Sequence, residues 1–251
     1  MMNVTETVKQ LIIINILFFI GTQFVGEPAY KILAMFFPEN SDFQAWQLIS
    51  HMFMHGGLMH IFFNMFALFS FGSALEHFWG GRKFLFFYIS CGLGAAFLHT
   101  GINYYSFNQA LDVLASSGFA ENEVLQLLNQ GKMNTQWQEV LTVSQFQNFM
   151  SAFTGVMVGA SGAIYGVIVA FAFMFPNAEL SLLFIPIPIK AKYFVPGLVL
   201  IDLYLGVSGN SIFGGSGGGG IAHFAHVGGA LCGFLIMWYW KKNQFNDNRW
   251  N

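Results

Sequence analysis

Charge is scarce in this sequence: 9% of its 251 residues are Asp, Glu, Lys or Arg, against about 25% in soluble domains. So few charges cannot cover a water-facing surface. With 55% hydrophobic residues and 31 phenylalanines, the mean hydropathy of +0.55 reads as a polytopic membrane protein. The net charge of −2 supplies no basic field, which excludes nucleic acid as a partner. Cysteine is nearly absent. Cys91 and Cys232 both fall in apolar runs, where thiols act as small hydrophobes and report on neither a disulfide framework nor a redox compartment. There is no His-Glu-x-x-His, and the glycine-rich run Gly214 to Gly220 lacks the lysine and spacing of a phosphate-binding loop, so it reads as a flexible connection.

What is present is a series of apolar runs. Leu11 to Phe24, extendable at Val8 and Val25, reads as a first, uncleaved span, because no small-x-small cleavage site follows Ile20. Gly26 to Ser50, with Pro28 and Pro38, reads as an interfacial loop in which Trp46 suits the headgroup level. A second span carries His60 and Asn64 and continues through Phe66 to Leu75, and a third runs from Phe84 to about His99. Residues 101 to 150 form a polar insert with helical spacing at Val124, Leu127 and Leu128. The fourth span begins near Ser161. Proline-punctuated sequence from Leu180 to Lys192 then links to a fifth span, Tyr193 to Gly206, and the sixth is Ile221 to Trp240. The expectation is an all-α polytopic membrane protein, a bundle of six transmembrane helices forming one domain over residues 1–251, with the insert at about 101–150 between spans three and four.

Polar residues inside these spans are functional hypotheses by default. Ser161 lies within Gly159-Ala160-Ser161-Gly162, with Tyr165 four residues on and on the same helical face. His226 lies within Ala225-His226-Val227-Gly228-Gly229, followed by Gly233. These two motifs resemble the rhomboid family of intramembrane serine proteases. Counted from the apparent outer entry of spans two, four and six, His60, Ser161 and His226 fall about 6 to 12 Å deep at 1.5 Å per residue. Small residues at Gly159, Gly162 and Gly166 and at Ala225, Gly229 and Gly233 would let the two helices approach closely enough for a hydroxyl to meet an imidazole.

The resemblance implies Ser161 as nucleophile and His226 as its general base, since a serine hydroxyl needs a neutral imidazole to take its proton. It also implies His60 and Asn64 as donors to the oxyanion, beside the Ser161 backbone N–H, and Tyr165 as the residue that packs on His226 and orients it. His51 and His55 read as hydrogen-bonded interfacial histidines without a catalytic role. Many rhomboids carry a Trp-Arg pair in the first loop, whereas Gln47 follows Trp46 here. The catalytic set is expected to be a Ser-His dyad. Asp202, the one obvious carboxylate in a span, is expected about 6 to 7 Å below His226 along the membrane normal and out of hydrogen-bond reach, bonded instead to hydroxyls or amides that hold the bundle together.

Basic residues set the expected orientation. With a cytoplasmic N-terminus, eight of the ten lie inside and only Lys31 and Lys132 outside, which puts both termini in the cytoplasm and the insert outside, in a bacterial inner membrane. No cofactor and no metal are expected. The expected partners are single-span or polytopic membrane protein substrates and the surrounding lipid. Two rival readings are an inactive rhomboid-like binding or trafficking factor, and a membrane metal or haem protein using His51, His55 and His60 with His223. The latter is disfavoured by the expected absence of an intramembrane carboxylate beside those histidines.

Overall fold

Backbone amides in hydrocarbon have no water to bond, so an apolar run satisfies them by coiling into a helix. A computed structural model of the chain, which describes residues 3–182, 185–208 and 219–244, follows that rule. Its helices are α1 (Glu6–Val25), α2 (Glu27–Leu33), α3 (Gln47–Ser50), α4 (Leu58–Ala67), α5 (Ser73–Trp79), α6 (Gly81–Ser116), α7 (Glu121–Asn129), α8 (Trp137–Val140), α9 (Val143–Thr154), α10 (Ser161–Met174), α11 (Ala191–Ser208) and α12 (Gly219–Gln244). A wider π-helical turn, Leu68–Gly72, joins α4 to α5, so that Leu58–Trp79 is one continuous rod. The expected loop from Gly214 to Gly220 lies almost wholly outside the described residues, which resume at residue 219.

Four of these stretches are long and apolar enough to cross a bilayer: Glu6–Val25, Leu58–Trp79, Gly81–Ser116 and Ala191–Ser208. The protein is therefore a mostly helical, multi-pass membrane protein. The expected six spans require α10 and α12 as well. The first of these is apolar but has only 14 residues, about 21 Å, against a hydrocarbon layer about 30 Å thick. The proline-rich link before α11 is an antiparallel hairpin, β1 (Glu179–Leu182) and β2 (Ile185–Lys190), with Glu179 opposite Lys190. Pro186 and Pro188 cannot donate to a ladder, and a two-stranded sheet tolerates them because each strand keeps one free edge.

The bundle centre is built from α6, α10 and α12, with α11 packed against α12. Small residues decide how close these helices come. A Cβ on Gly229 of α12 would stand 1.8 Å from the Gly162 carbonyl oxygen of α10, a distance no side chain permits. This contact lies one residue beyond Ser161 and three beyond His226 and fixes the separation of the two helices that carry them.

Two polar side chains organise the periphery. Glu76 of α5 accepts from the Thr7 and Val8 amides at 2.9 and 2.8 Å and from the Thr5 hydroxyl, satisfying first-turn donors of α1 that its own sequence leaves open. Gln47, where many rhomboids have arginine, is fully buried. Its Oε1 accepts from the Phe36 and Gln44 amides, and its Nε2 donates to the Lys31 and Asp42 carbonyls. A neutral amide thereby stitches the first loop with four hydrogen bonds in place of an ion pair.

The third span does not end at His99. Helix α6 has 36 residues, about 54 Å, and its last turns bury Phe107, Leu111 and Leu114 in a second core against Val124 of α7, Trp137 of α8 and Phe149 of α9. The Phe107 and Phe149 rings stack at 4.7 Å. Residues 101 to 150 are thus the last turns of α6 plus three short helices that share one hydrophobic cluster.

Candidate active site

Ser161 is the first residue of α10, and the backbone leading to it is held at two points. Met157 and Met35 exchange amide and carbonyl bonds at 2.9 and 3.0 Å, and the Gly159 amide donates to the His51 carbonyl at 2.9 Å. Gly159 has φ +121°, and a Cβ there would lie 2.7 Å from His60 Nε2, so glycine is required both by conformation and by space. Ala160 supplies no side-chain cap to α10, which leaves the amides of its first turn open beside the serine. A helix this short starts below one membrane face if it ends at the other.

His226 comes from the facing helix α12, one residue after the small Ala225. Its Nε2 lies 2.9 Å from Ser161 Oγ. The Tyr165 ring, one turn below Ser161, stacks on the imidazole with centroids 4.3 Å apart and planes 6° from parallel. The other imidazole nitrogen, Nδ1, lies 3.1 Å from Asp202 Oδ1. An ionised carboxylate can only accept, so Nδ1 carries the proton and Nε2 presents its lone pair to the serine hydroxyl.

Asp202 corrects two expectations. It is not separated from His226 by a gap beyond hydrogen-bond reach, and an intramembrane carboxylate does stand beside the histidines. Residue counting along separate helices assumes parallel axes and a shared starting plane, and it neglects side-chain reach across the contact between α11 and α12. The carboxylate is buried and fully engaged. Oδ2 accepts from the Tyr165 hydroxyl, and Oδ1 also meets His223 Nδ1 at 2.5 Å. His223 therefore joins Asp202 and His226, not His51, His55 and His60 as the metal reading required.

His60 is on the serine side of the site. Its Nε2 and Ser161 Oγ lie 2.7 and 3.6 Å from the point where Gly159 would carry a Cβ, and its Nδ1 accepts from the Gly56 amide at 3.4 Å. Asn64 lies one turn further down α4, buried, with its amide donating to the His60 carbonyl at 2.8 Å. Asn64 Oδ1 has no hydrogen-bond partner among the described residues. His51 and His55 are buried. The His51 Nδ1–H donates to the Gln47 carbonyl at 2.7 Å, and the His55 ring packs edge-on against His60 at 5.0 Å. Burial holds both imidazoles down at about 4.

Chemically, the arrangement is a hydroxyl, an imidazole and a carboxylate in line, with open helix-terminal amides next to the hydroxyl. Such a set suits acyl transfer. Asp202 is the residue that sequence reasoning assigned elsewhere, and the signal available for it was chemical: an acid in a span is costly unless partnered, and the histidines of span six were the nearest candidates.

The family model described as "Rhomboid domain" matches residues 42–121 and 131–243, and the interruption falls in α7. The chain is 25% identical over 195 residues to "Rhomboid protein 1, mitochondrial" of Saccharomyces cerevisiae, covering 78% of this chain and 42% of that protein. It is 38% identical over 48 residues to "Rhomboid protease GluP" of Bacillus subtilis, covering 19% of this chain and 10% of that protein. The chain spans less than half the length of these curated relatives.

Proposed function

The chain belongs to the rhomboid family, and from that premise we propose that it is an intramembrane serine endopeptidase that cleaves transmembrane protein substrates within or near the membrane. The observation that carries this reading is the 2.9 Å contact between Ser161 Oγ and His226 Nε2. The Ser161 hydroxyl gives its proton to His226 Nε2 as Oγ attacks the scissile carbonyl carbon. The resulting imidazolium then protonates the leaving amine, and water resolves the acyl-enzyme by the same route in reverse.

Tyr165 and Asp202 fix the base. Stacking sets the plane of the imidazole, and the carboxylate holds the tautomer that leaves Nε2 free to accept, so the Ser161–His226 dyad expected from the sequence gains Asp202 as the group that orients its base. The tetrahedral oxyanion takes the Ser161 N–H, together with side-chain donors from His60 and Asn64. One Asn64 amide hydrogen is held by the His60 carbonyl, and the second is the one available to the oxyanion.

The enzyme sits in a bacterial cytoplasmic membrane with both termini inside and the 101–150 region outside, as one membrane domain over residues 1–251. The test is incubation of purified protein with a panel of single-span substrates. Wild type cleaves at least one of them, Ser161→Ala and His226→Ala do not, and a fluorophosphonate labels Ser161. Cleavage retained in either folded mutant overturns the assignment.

A further inference from the structure

We propose that Asp202, His223 and His226 form a binding site for a divalent transition-metal ion of the Zn²⁺ class, and that the bound ion switches Ser161 off. The second half of this statement rests on the reading of Ser161 and His226 as nucleophile and base; the binding site does not.

The proposal starts from a residue that acyl transfer does not use. Asp202 needs one partner to orient His226, yet His223 Nδ1 meets the same carboxylate oxygen at 2.5 Å while His226 Nδ1 meets it at 3.1 Å. A carboxylate oxygen has lone pairs enough for both imidazoles, but orienting His226 does not call for the second. His223 and His226 are three apart on α12 and share a face, and α11 places the acid opposite them. Their candidate ligand atoms all lie within 4.8 Å of one another, and among the described residues no other group of three His, Cys, Asp or Glu does so.

Two imidazole nitrogens and one carboxylate oxygen suit Zn²⁺ and its transition-series neighbours, whereas Mg²⁺ and Ca²⁺ prefer oxygen alone. Zinc bonds of about 2.0 to 2.2 Å place ligand atoms about 3.4 Å apart around a tetrahedral centre. Side-chain rotations of about an ångström convert the present cluster to that spacing. The Tyr165 hydroxyl on Asp202 Oδ2 is the outer partner that holds a ligating carboxylate in place. The side chains of His223 and His226 are 14% and 23% exposed, which gives an ion a route in and leaves a fourth position for water.

The consequence for the serine follows from proton bookkeeping on one ring. In the metal-free site His226 carries its proton on Nδ1, toward Asp202. A metal ion takes the Nδ1 lone pair, so the single proton of the neutral ring moves to Nε2, and the same shift occurs on His223; no proton is gained or lost. His226 Nε2–H then faces Ser161 Oγ as a donor and cannot accept the hydroxyl proton.

Co²⁺, whose visible absorption reports coordination by protein nitrogen, is the probe. Titrated into metal-free Ser161→Ala protein in detergent, it should give an intense four- or five-coordinate spectrum that Zn²⁺ displaces, and both His223→Gln and Asp202→Asn should lose it while melting normally. A six-coordinate aqueous spectrum throughout, or a band that survives His223→Gln, overturns the site. In wild type, Zn²⁺ should slow fluorophosphonate labelling of Ser161 at least tenfold, with recovery on adding a chelator. His223→Gln protein should keep its own labelling rate in the same Zn²⁺. Binding without slowed labelling would leave the site standing and remove the switch, and failure of wild type to label at all would count against the serine assignment alone.

Discussion

Asp202 and Ser161 lie on opposite edges of the same imidazole, the carboxylate 3.1 Å from Nδ1 and the hydroxyl 2.9 Å from Nε2 of His226. On the proposed mechanism that relationship makes the acid a positioning residue. Asp202→Asn should lower turnover at least a hundredfold, about 2.7 kcal/mol, because an amide can hold His226 in the tautomer whose Nε2 is already protonated; the corresponding change in a soluble serine protease, a known case, costs about 10⁴. Turnover within tenfold of wild type in a mutant of normal thermal stability would return Asp202 to a purely structural role.

On the proposed mechanism, losing His60 and Asn64 has a different effect from losing Ser161. His60→Ala with Asn64→Ala should reduce turnover by about 10- to 1,000-fold, about 1.4 to 4 kcal/mol, while a fluorophosphonate still labels Ser161. Full turnover in the folded double mutant removes both from the reaction.

Packing below the site is the least forgiving feature of the bundle. Gly229→Ala drives a methyl onto the Gly162 carbonyl at 1.8 Å and should destabilise the fold by more than about 3 kcal/mol, at the upper end of overpacking costs. Gly197→Ala in α11 has nothing within 4 Å of the new carbon and should leave the melting temperature unchanged or raise it. Equal melts for the two variants would contradict the close approach of α10 and α12.

Acid should loosen the protein before it reaches the carboxylates. Burial lowers His51 and His55 to about 4, whereas an exposed histidine titrates near 6.5. Between those values the unfolded chain binds more protons than the folded one, so the stability these groups contribute is complete above about 6.5 and declines as pH falls toward 4. Thermal melts in detergent should drop between pH 7 and pH 5, and melts independent of pH over that range would show that neither ring is buried in its neutral form.

Orientation is checked on intact cells. A protease added to the outer face should cut within residues 101 to 150, where Gly131 and Lys132 are exposed, and should spare both termini. Protection of that region with loss of the C-terminus would invert the topology.

The serine site is legible in the sequence to the extent that its contacts are local. Ser161 and Tyr165 sit one helical turn apart among glycines that announce close packing, a weak signal alone that becomes specific beside the motif around His226. His226 is legible because an imidazole in an apolar run needs a reason to be there. Asp202 is not, because its position relative to His226 depends on how α11 leans on α12, which no residue count contains. The same holds for α6, whose continuation past His99 is stabilised by Trp137 and Phe149, which lie 30 and 42 residues beyond Phe107 in the chain. Gln47 shows the converse: the sequence marks a missing arginine, but only the folded loop reveals that an amide with two acceptor and two donor contacts fills the position.

The clamp between Glu76 and the start of α1 also orders events in time. The amides of Thr7 and Val8 find their acceptor 68 or 69 residues later in the chain, and at synthesis rates of about 5 to 20 residues per second that acceptor emerges roughly 3 to 14 s after the helix it closes. Until then those amides lack the carboxylate that meets them in the folded bundle. The pairing of α1 with α5 therefore waits for residue 76 to be made, so the two helices close on one another in the order in which the chain supplies them.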